Sequence, residues 1–157
     1  MKAYITNFFA TTKHKAWVLY YCCKAAANLV KRGVVHDFSK YGKAEEPYFT
    51  AMLSKLKDTP YGTPEYKKLL DTIQPALDHH YKVNSHHPEY YPNGTKGMTN
   101  LDKIEMLCDW KAAGKRHKTS SIRKSLEINK ARFNMTYEEV SALQRDAVEL
   151  GLMKKGE

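Results

Sequence analysis

At 157 residues with 42% hydrophobic content, the chain has the size of one domain and enough apolar residues to bury a proper core. Lysine and arginine outnumber aspartate and glutamate by 26 to 17, and the resulting net charge of +9 favours anionic partners without constraining the fold. Cys22, Cys23 and Cys108 are an odd number with no C-x-x-C spacing, which excludes a disulfide framework and a zinc ribbon and suits a reducing cytoplasm. The longest apolar run, Ala16 to Cys23, falls far short of the roughly 20 residues of a membrane span, and no secretory leader pattern is evident.

The periodicity is helical nearly throughout. His14, Trp17, Val18, Tyr21, Cys22, Ala25 and Leu29 share one face of a first helix, which Gly33 is expected to stop. A short connection, His36-Asp37-Phe38-Ser39-Lys40, leads to a second helix marked by Phe49, Met52, Leu53 and Leu56, with Pro47 in its first turn. After a turn from Asp58 to Gly62, Thr63 caps a third helix with Pro64 at its first position. The line Leu70, Ile73, Leu77, His80, Asn84 predicts that this helix runs to residue 84 with His80 facing inward and His79 about a hundred degrees off that line.

Residues 85–100 read as a long loop, holding His86-His87-Pro88-Glu89 and the turn Pro92-Asn93-Gly94. Thr99 and Asp102 form a capping box for a fourth helix with Leu101, Ile104 and Cys108 as its apolar positions. Ile122, Leu126, Asn129 and Phe133 mark a fifth. Thr136 and Glu139 open a sixth, which buries Val140, Leu143, Ala147 and Leu150 and ends at Gly151. The expectation is one all-α domain over residues 1–157, a bundle of about six helices.

Six of the seven histidines lie between positions 14 and 87, and five of them form an ordered series with carboxylates: His14, His36-Asp37, His80, His86-His87, and then Asp109. Imidazole and carboxylate are the ligands that hold Mn, Fe, Co or Zn, and an adjacent His-Asp pair can serve two ions from one short segment. Asp109 sits midway along a helix, one turn after Glu105 and beside Ala112 and Ala113. A carboxylate buried there costs several kcal/mol unless it is paired or metal-bound. The bland alternatives are an N-cap role for Asp37 and a cation partner for Asp109.

The order His, His-Asp, Asp resembles the HD-domain superfamily of metal-dependent phosphohydrolases. The segment His36-Asp37-Phe38-Ser39-Lys40 is similar to the His-Asp-x-Gly-Lys segment of its HD-GYP branch, which also has a further His and a His-His-Glu segment before the final Asp. Here Ser39 stands in place of the glycine, Gly-Tyr-Pro is absent, and His80 lies much nearer the His-His pair. Residues 14–113 also resemble an uncharacterised family of phage and bacterial proteins with His-Asp-x-Ser-Lys, Asn-x-His-His and Glu-Met-x-Cys-Asp-Trp segments, here His36 to Lys40, Asn84 to His87 and Glu105 to Trp110.

The resemblance implies an HD-like helical domain in which His14, His36, Asp37 and Asp109 hold one divalent metal. Asp37 would bridge to a second metal on His80, His86 and His87, with one of that last pair able to face solvent. Lys40 would clamp a phosphate, and Glu45, on the face of Phe49, Met52 and Leu56, would reach the centre as an acceptor or extra ligand. Lys115 to Lys118 would hold further phosphates, and Tyr90 and Tyr91 would stack on a base.

The expected activity is hydrolysis of a small nucleotide-like phosphoester through a metal-activated water, in the cytoplasm of a bacterium or phage-infected host. No membrane partner is expected, nucleic acid is a lesser candidate, and a homo-oligomer stays open. Two alternatives remain at this point: an HD-type di-iron oxygenase sharing the same ligands, and a non-enzymatic basic helical protein binding nucleic acid or a host protein.

Overall fold

The computed structural model describes residues 2–60, 62–115 and 121–156, with the side chains of residues 2 and 3 left aside. It is all-helical: seven α-helices and three short 3-10 turns, with no strand among the described residues. The chain divides into two compact units, Met1–His36 and Asp37–Glu157.

The first unit is a single helix, α1 (Lys2–Val35). Alanine-rich stretches and the absence of proline favour its length. Gly33 does not stop it, since glycine weakens a helix without breaking its hydrogen-bond ladder. The helix ends where Asp37 turns to φ 56°, a left-handed conformation that aspartate tolerates better than most residues. Trp17, Val18 and Tyr21 stay more than 45% exposed, because a lone helix has no second element in its unit to cover them.

The second unit opens with a 3-10 turn, Phe38–Tyr41, followed by α2 (Glu46–Asp58), α3 (Pro64–Asp71) and α4 (Gln74–Val83). Pro47 lies in the first turn of α2, and Thr63 caps α3 by accepting from the Tyr66 amide at 3.2 Å. The single helix expected from 63 to 84 is in fact two. Pro75 has no amide hydrogen to continue the ladder, so the chain breaks at Thr72-Ile73 and restarts with the proline in the first turn of α4. The periodic apolar line survives the break: Ile73, Leu77 and His80 are all buried.

After α4, 3-10 turns at Pro88–Tyr90 and Gly94–Gly97 lead to α5 (Asn100–Gly114), α6 (Ile122–Arg132) and α7 (Tyr137–Glu149). Both capping boxes form as the sequence predicts, Thr99 with Asp102 and Thr136 with Glu139. Gly151 adopts φ 69° just past α7, the usual left-handed stop. The inner face of α5 differs from expectation. Asp102, Glu105, Met106 and Leu107 are buried, while Leu101 and Cys108 are exposed. Met106 and Leu107 join Met98, Ile122, Leu126, Met135, Leu143, Ala147 and Met153 in the core of α5, α6 and α7. That core takes the apolar side chains, and the side of α5 bearing Asp102 and Glu105 turns to the polar loop.

The loop between α4 and α5 is tied down rather than free. Asp102 is 2% exposed and accepts from Ser85 Oγ at 2.7 Å, Tyr91 Oη at 2.7 Å, the Thr99 amide at 3.0 Å and the Thr99 hydroxyl. Burial, and then the bond to the ionised Asp102, push the Tyr91 phenol up to about 12. Thr95 Oγ1 donates to Glu139 Oε1 of α7 at 2.8 Å, and Arg132 of α6 reaches Glu89 at 2.5 Å. Gly97 closes the loop against Tyr91, and a Cβ there would lie 2.8 Å from the Tyr91 Cβ. Replacing Gly97 by alanine is expected to cost about 1–3 kcal/mol through that overlap. Calorimetry should record a correspondingly lower Tm; an unchanged Tm would show that the loop is not packed this way.

Candidate metal centre

Three elements of the second unit converge on one point. The turn Phe38–Tyr41 brings Asp37 and Lys40, the last turn of α4 brings His80, and the loop behind it brings His86 and His87. Asp37, His80, His86 and His87 each offer one ligand atom, and those four atoms lie within 4.8 Å of one another. Asp37 Oδ1 is 3.3 Å from His80 Nε2 and 3.4 Å from His86 Nε2, and His80 Nε2 is 2.9 Å from His87 Nε2. Ligands at roughly 2.0–2.1 Å from a tetrahedral ion stand about 3.3–3.4 Å apart. Two of the carboxylate–imidazole spacings match that figure, and the cluster could hold a metal ion.

The far sides of the rings fix which nitrogen faces the centre. Glu45, at the start of α2, is fully buried and receives His79 Nδ1 at 2.7 Å and His80 Nδ1 at 2.8 Å. Burial alone would raise this carboxyl. Hydrogen bonds from His79, Ser39 and His80 outweigh it and hold the group below its ordinary range, so it stays ionised. With its Nδ1 hydrogen on Glu45, His80 turns Nε2 toward the point that Asp37, His86 and His87 share. His86 repeats the arrangement with Nδ1 3.3 Å from Glu105 Oε1 and Nε2 toward Asp37. A carboxylate behind a histidine both orients the ring and raises its basicity as a ligand.

His87 is kept neutral. Burial comes first, reinforced by the nearby His86 and His80, and together they bring its pKa down to about 2 despite the opposing pull of Asp37. A neutral imidazole is the ligand form. On the other side of Asp37, Lys40 Nζ pairs with Oδ2 at 2.5 Å and lies 5.1 Å from the Phe49 ring centroid. Asp37 does stand at the N-cap position of the turn that follows, but its side chain makes no capping bond there.

Ser39, the departure from the His-Asp-x-Gly-Lys pattern, takes part in the network. Its hydroxyl is 3.3 Å from His80 Nδ1 and accepts from Asn84 Nδ2 at 2.8 Å, while Asn84 also caps the His80 carbonyl at 2.9 Å. The segments around 36–40 and 84–87 thus interlock through side chains. Glu105 and His79 are the functional positions that the sequence reading passed over. Glu105 sits one turn before Asp109 on α5, and that spacing was the signal available for it. His79 is 44% exposed at its side chain and reaches Glu45 from the rim.

The other expected site residues are not among these four groups. Asp109 is not among the four clustered groups but lines a cavity shared with Lys40, His80 and His87. His14 and His36 belong to the Met1–His36 unit, His14 exposed on α1 and His36 at the unit's end. Tyr91 is committed to Asp102 and packs on the core, so the expected stacking role does not fall to it. Of the basic run 115–118, Lys115 caps α5, and Arg116, His117 and Lys118 lie outside the described residues.

A family model described as a family of unknown function (DUF5662) matches residues 4–151. No curated protein and no solved structure matches the chain.

Two outcomes follow from this geometry. Glu45→Gln should weaken metal binding about 10- to 100-fold, read by competition with a chelator; unchanged affinity would remove Glu45 from the centre. The second concerns pH. His87 is neutral when folded, whereas the unfolded chain takes up a proton there below about pH 6.5. Its contribution to stability is therefore intact above that pH and falls below it, by about 2 kcal/mol at pH 5. Calorimetry of chelator-treated protein between pH 7 and 5 should show this drop, and His87→Gln should flatten it.

Proposed function

On the premise that the chain belongs to this family of unknown function, we propose from the site itself that it is a metal-dependent phosphohydrolase acting on a nucleotide-like phosphoester. The observation that carries the reading is the convergence of Asp37, His80, His86 and His87, backed by buried carboxylates at Glu45 and Glu105. The resemblance of the His-Asp and His-His segments to HD-domain phosphohydrolases points the same way.

A bound divalent ion such as Mn, Fe, Co or Zn would lower the pKa of a coordinated water toward roughly 7 and draw charge from the phosphate oxygens. The rest is work for the chain's own groups. Lys40, paired with Asp37 and beside the Phe49 ring, lines the adjoining cavity, where it would meet a phosphate oxygen. Asp109, on the cavity wall, faces the same space and can accept a proton there. Glu45 and Glu105 hold the imidazoles and touch no substrate.

The deciding experiment is elemental analysis of the purified protein beside Asp37→Ala, with turnover of phosphoesters measured anaerobically. The wild type should retain about one or two divalent ions per chain and Asp37→Ala much less, because one arm of the cluster is gone. Hydrolysis should survive without oxygen and with a redox-inert metal. Oxygen uptake with iron alone would mark an oxygenase instead, and equal metal content in the two proteins would end the metal reading altogether.

A further inference from the structure

α1 carries a surface that nothing else in its unit covers. From Tyr4 to Val35 it exposes large apolar side chains, among them Phe8 at 57%, Leu19 at 65%, Val30 at 65% and Val34 at 77%. Proteins that stay alone in water rarely show a contiguous apolar patch beyond roughly 300–600 Å². The charge on this helix has a single sign. Residues 4–35 include Lys13, Lys15, Lys24, Lys31 and Arg32, and no aspartate or glutamate.

The two kinds of residue take different sides. At about 100° per residue, Lys13, Lys24 and Lys31 fall within about 20° of one another, with Asn28 and Arg32 on the same half of the helix. Ile5, Phe8, Leu19, Val30 and Val34 share an arc of about 80° on the other half. Of the five cations Lys15 alone stands on the apolar half, and its long stem can carry the ammonium back to water. We infer that α1 is an interfacial helix that lies along an anionic membrane surface, its apolar arc at the acyl boundary and its lysines among the headgroups.

Charge and shape select this occupant. A second copy of α1 would bring the same five cations and no acid, so pairing two such helices gathers like charge. A nucleic acid would satisfy the lysines but offer its phosphates and sugars to Leu19, Val30 and Val34, which need hydrocarbon. An anionic bilayer supplies both counterparts, headgroup charge above and acyl chains below. The arc runs straight from Ile5 to Val34, about 44 Å, which suits a plane better than a protein groove. No helix among the described residues is long and apolar enough to cross a membrane. The expectation of no membrane partner rests on the lack of such a run, whereas lying along a surface needs only one apolar side.

The test is sedimentation of the full chain with vesicles of phosphatidylcholine, with and without phosphatidylglycerol. Binding should require the anionic lipid and weaken with salt. Leu19→Glu, and separately Lys24→Glu with Lys31→Glu, should each weaken it about tenfold or more. Lys68→Glu with Lys124→Glu makes the same charge change on exposed positions of α3 and α6 and should bind as the parent does. Depth is read with Leu19→Trp in a Trp17→Phe background, which brominated acyl chains should quench; Trp17→Phe alone, retaining Trp110, should not be quenched.

Four results would overturn the inference. They are no binding to anionic vesicles, equal losses in the α3–α6 control and the α1 variants, a Leu19→Glu protein with lowered Tm, and vesicle-independent self-association that Leu19→Glu abolishes. The third would show the arc already covered in solution, and the fourth would give it to a second copy. DNA binding lost with Lys24→Glu and Lys31→Glu but kept in Leu19→Glu, without vesicle binding, would assign α1 to nucleic acid instead. None of these outcomes bears on the proposed hydrolase.

Discussion

One fully buried carboxylate organises the centre. Glu45 sits at zero exposure where a lone charge would be prohibitively placed, and it is tolerable only because His79, His80 and Ser39 surround it with donors. Its position at the start of α2 sets that helix against the end of α4. The bond to His80 Nδ1 then decides that Nε2, not Nδ1, looks toward Asp37. Remove that constraint and His80 keeps its burial but loses its orientation, and with it the spacing that suits an ion.

The second half of the site depends on a different device. His86 and His87 come from a loop, which would ordinarily be the least rigid place to put a ligand. Here the loop is anchored by Asp102, by Thr95 on Glu139 and by Glu89 on Arg132. α5 holds both parts of this arrangement on one side, Asp102 gripping the loop and Glu105, three residues on, gripping His86. The polar inner edge of α5 is therefore a bracket for the ligand loop, and its neighbours Met106 and Leu107 fix the bracket to the α5–α6–α7 core.

The adjoining cavity shares part of its lining with the cluster. His80 and His87 belong both to the cluster and to that lining, and Lys40, the partner of Asp37, also lines the cavity. Apolar lining comes from α2, α3, α5 and α6 among others, and the capping residues Thr63, Thr99 and Ser121 start the last three of these at defined positions. Helix caps far from the chemistry thus set where the cavity wall stands.

Local chemistry by itself determined much of this protein. Capping boxes at Thr99 and Thr136, the left-handed stop at Gly151 and the inward line through Leu77 and His80 are written in short stretches, because caps and periodicity act within a few residues. The ligand types Asp37, His80, His86 and His87 were legible for the same reason. Tertiary structure decided what distance alone can decide: that Glu45 lies behind His80, that Glu105 stands against His86, and that Asp102 claims Tyr91. The break at Pro75 was open to reading, but the apolar line through Ile73 hid it, since burial periodicity can persist across a gap in the backbone ladder. Which face of α5 turns inward depended on distant partners, such as Ser85, 17 residues from Asp102, and Leu143 and Ala147 of the shared core, whose approach no single segment encodes.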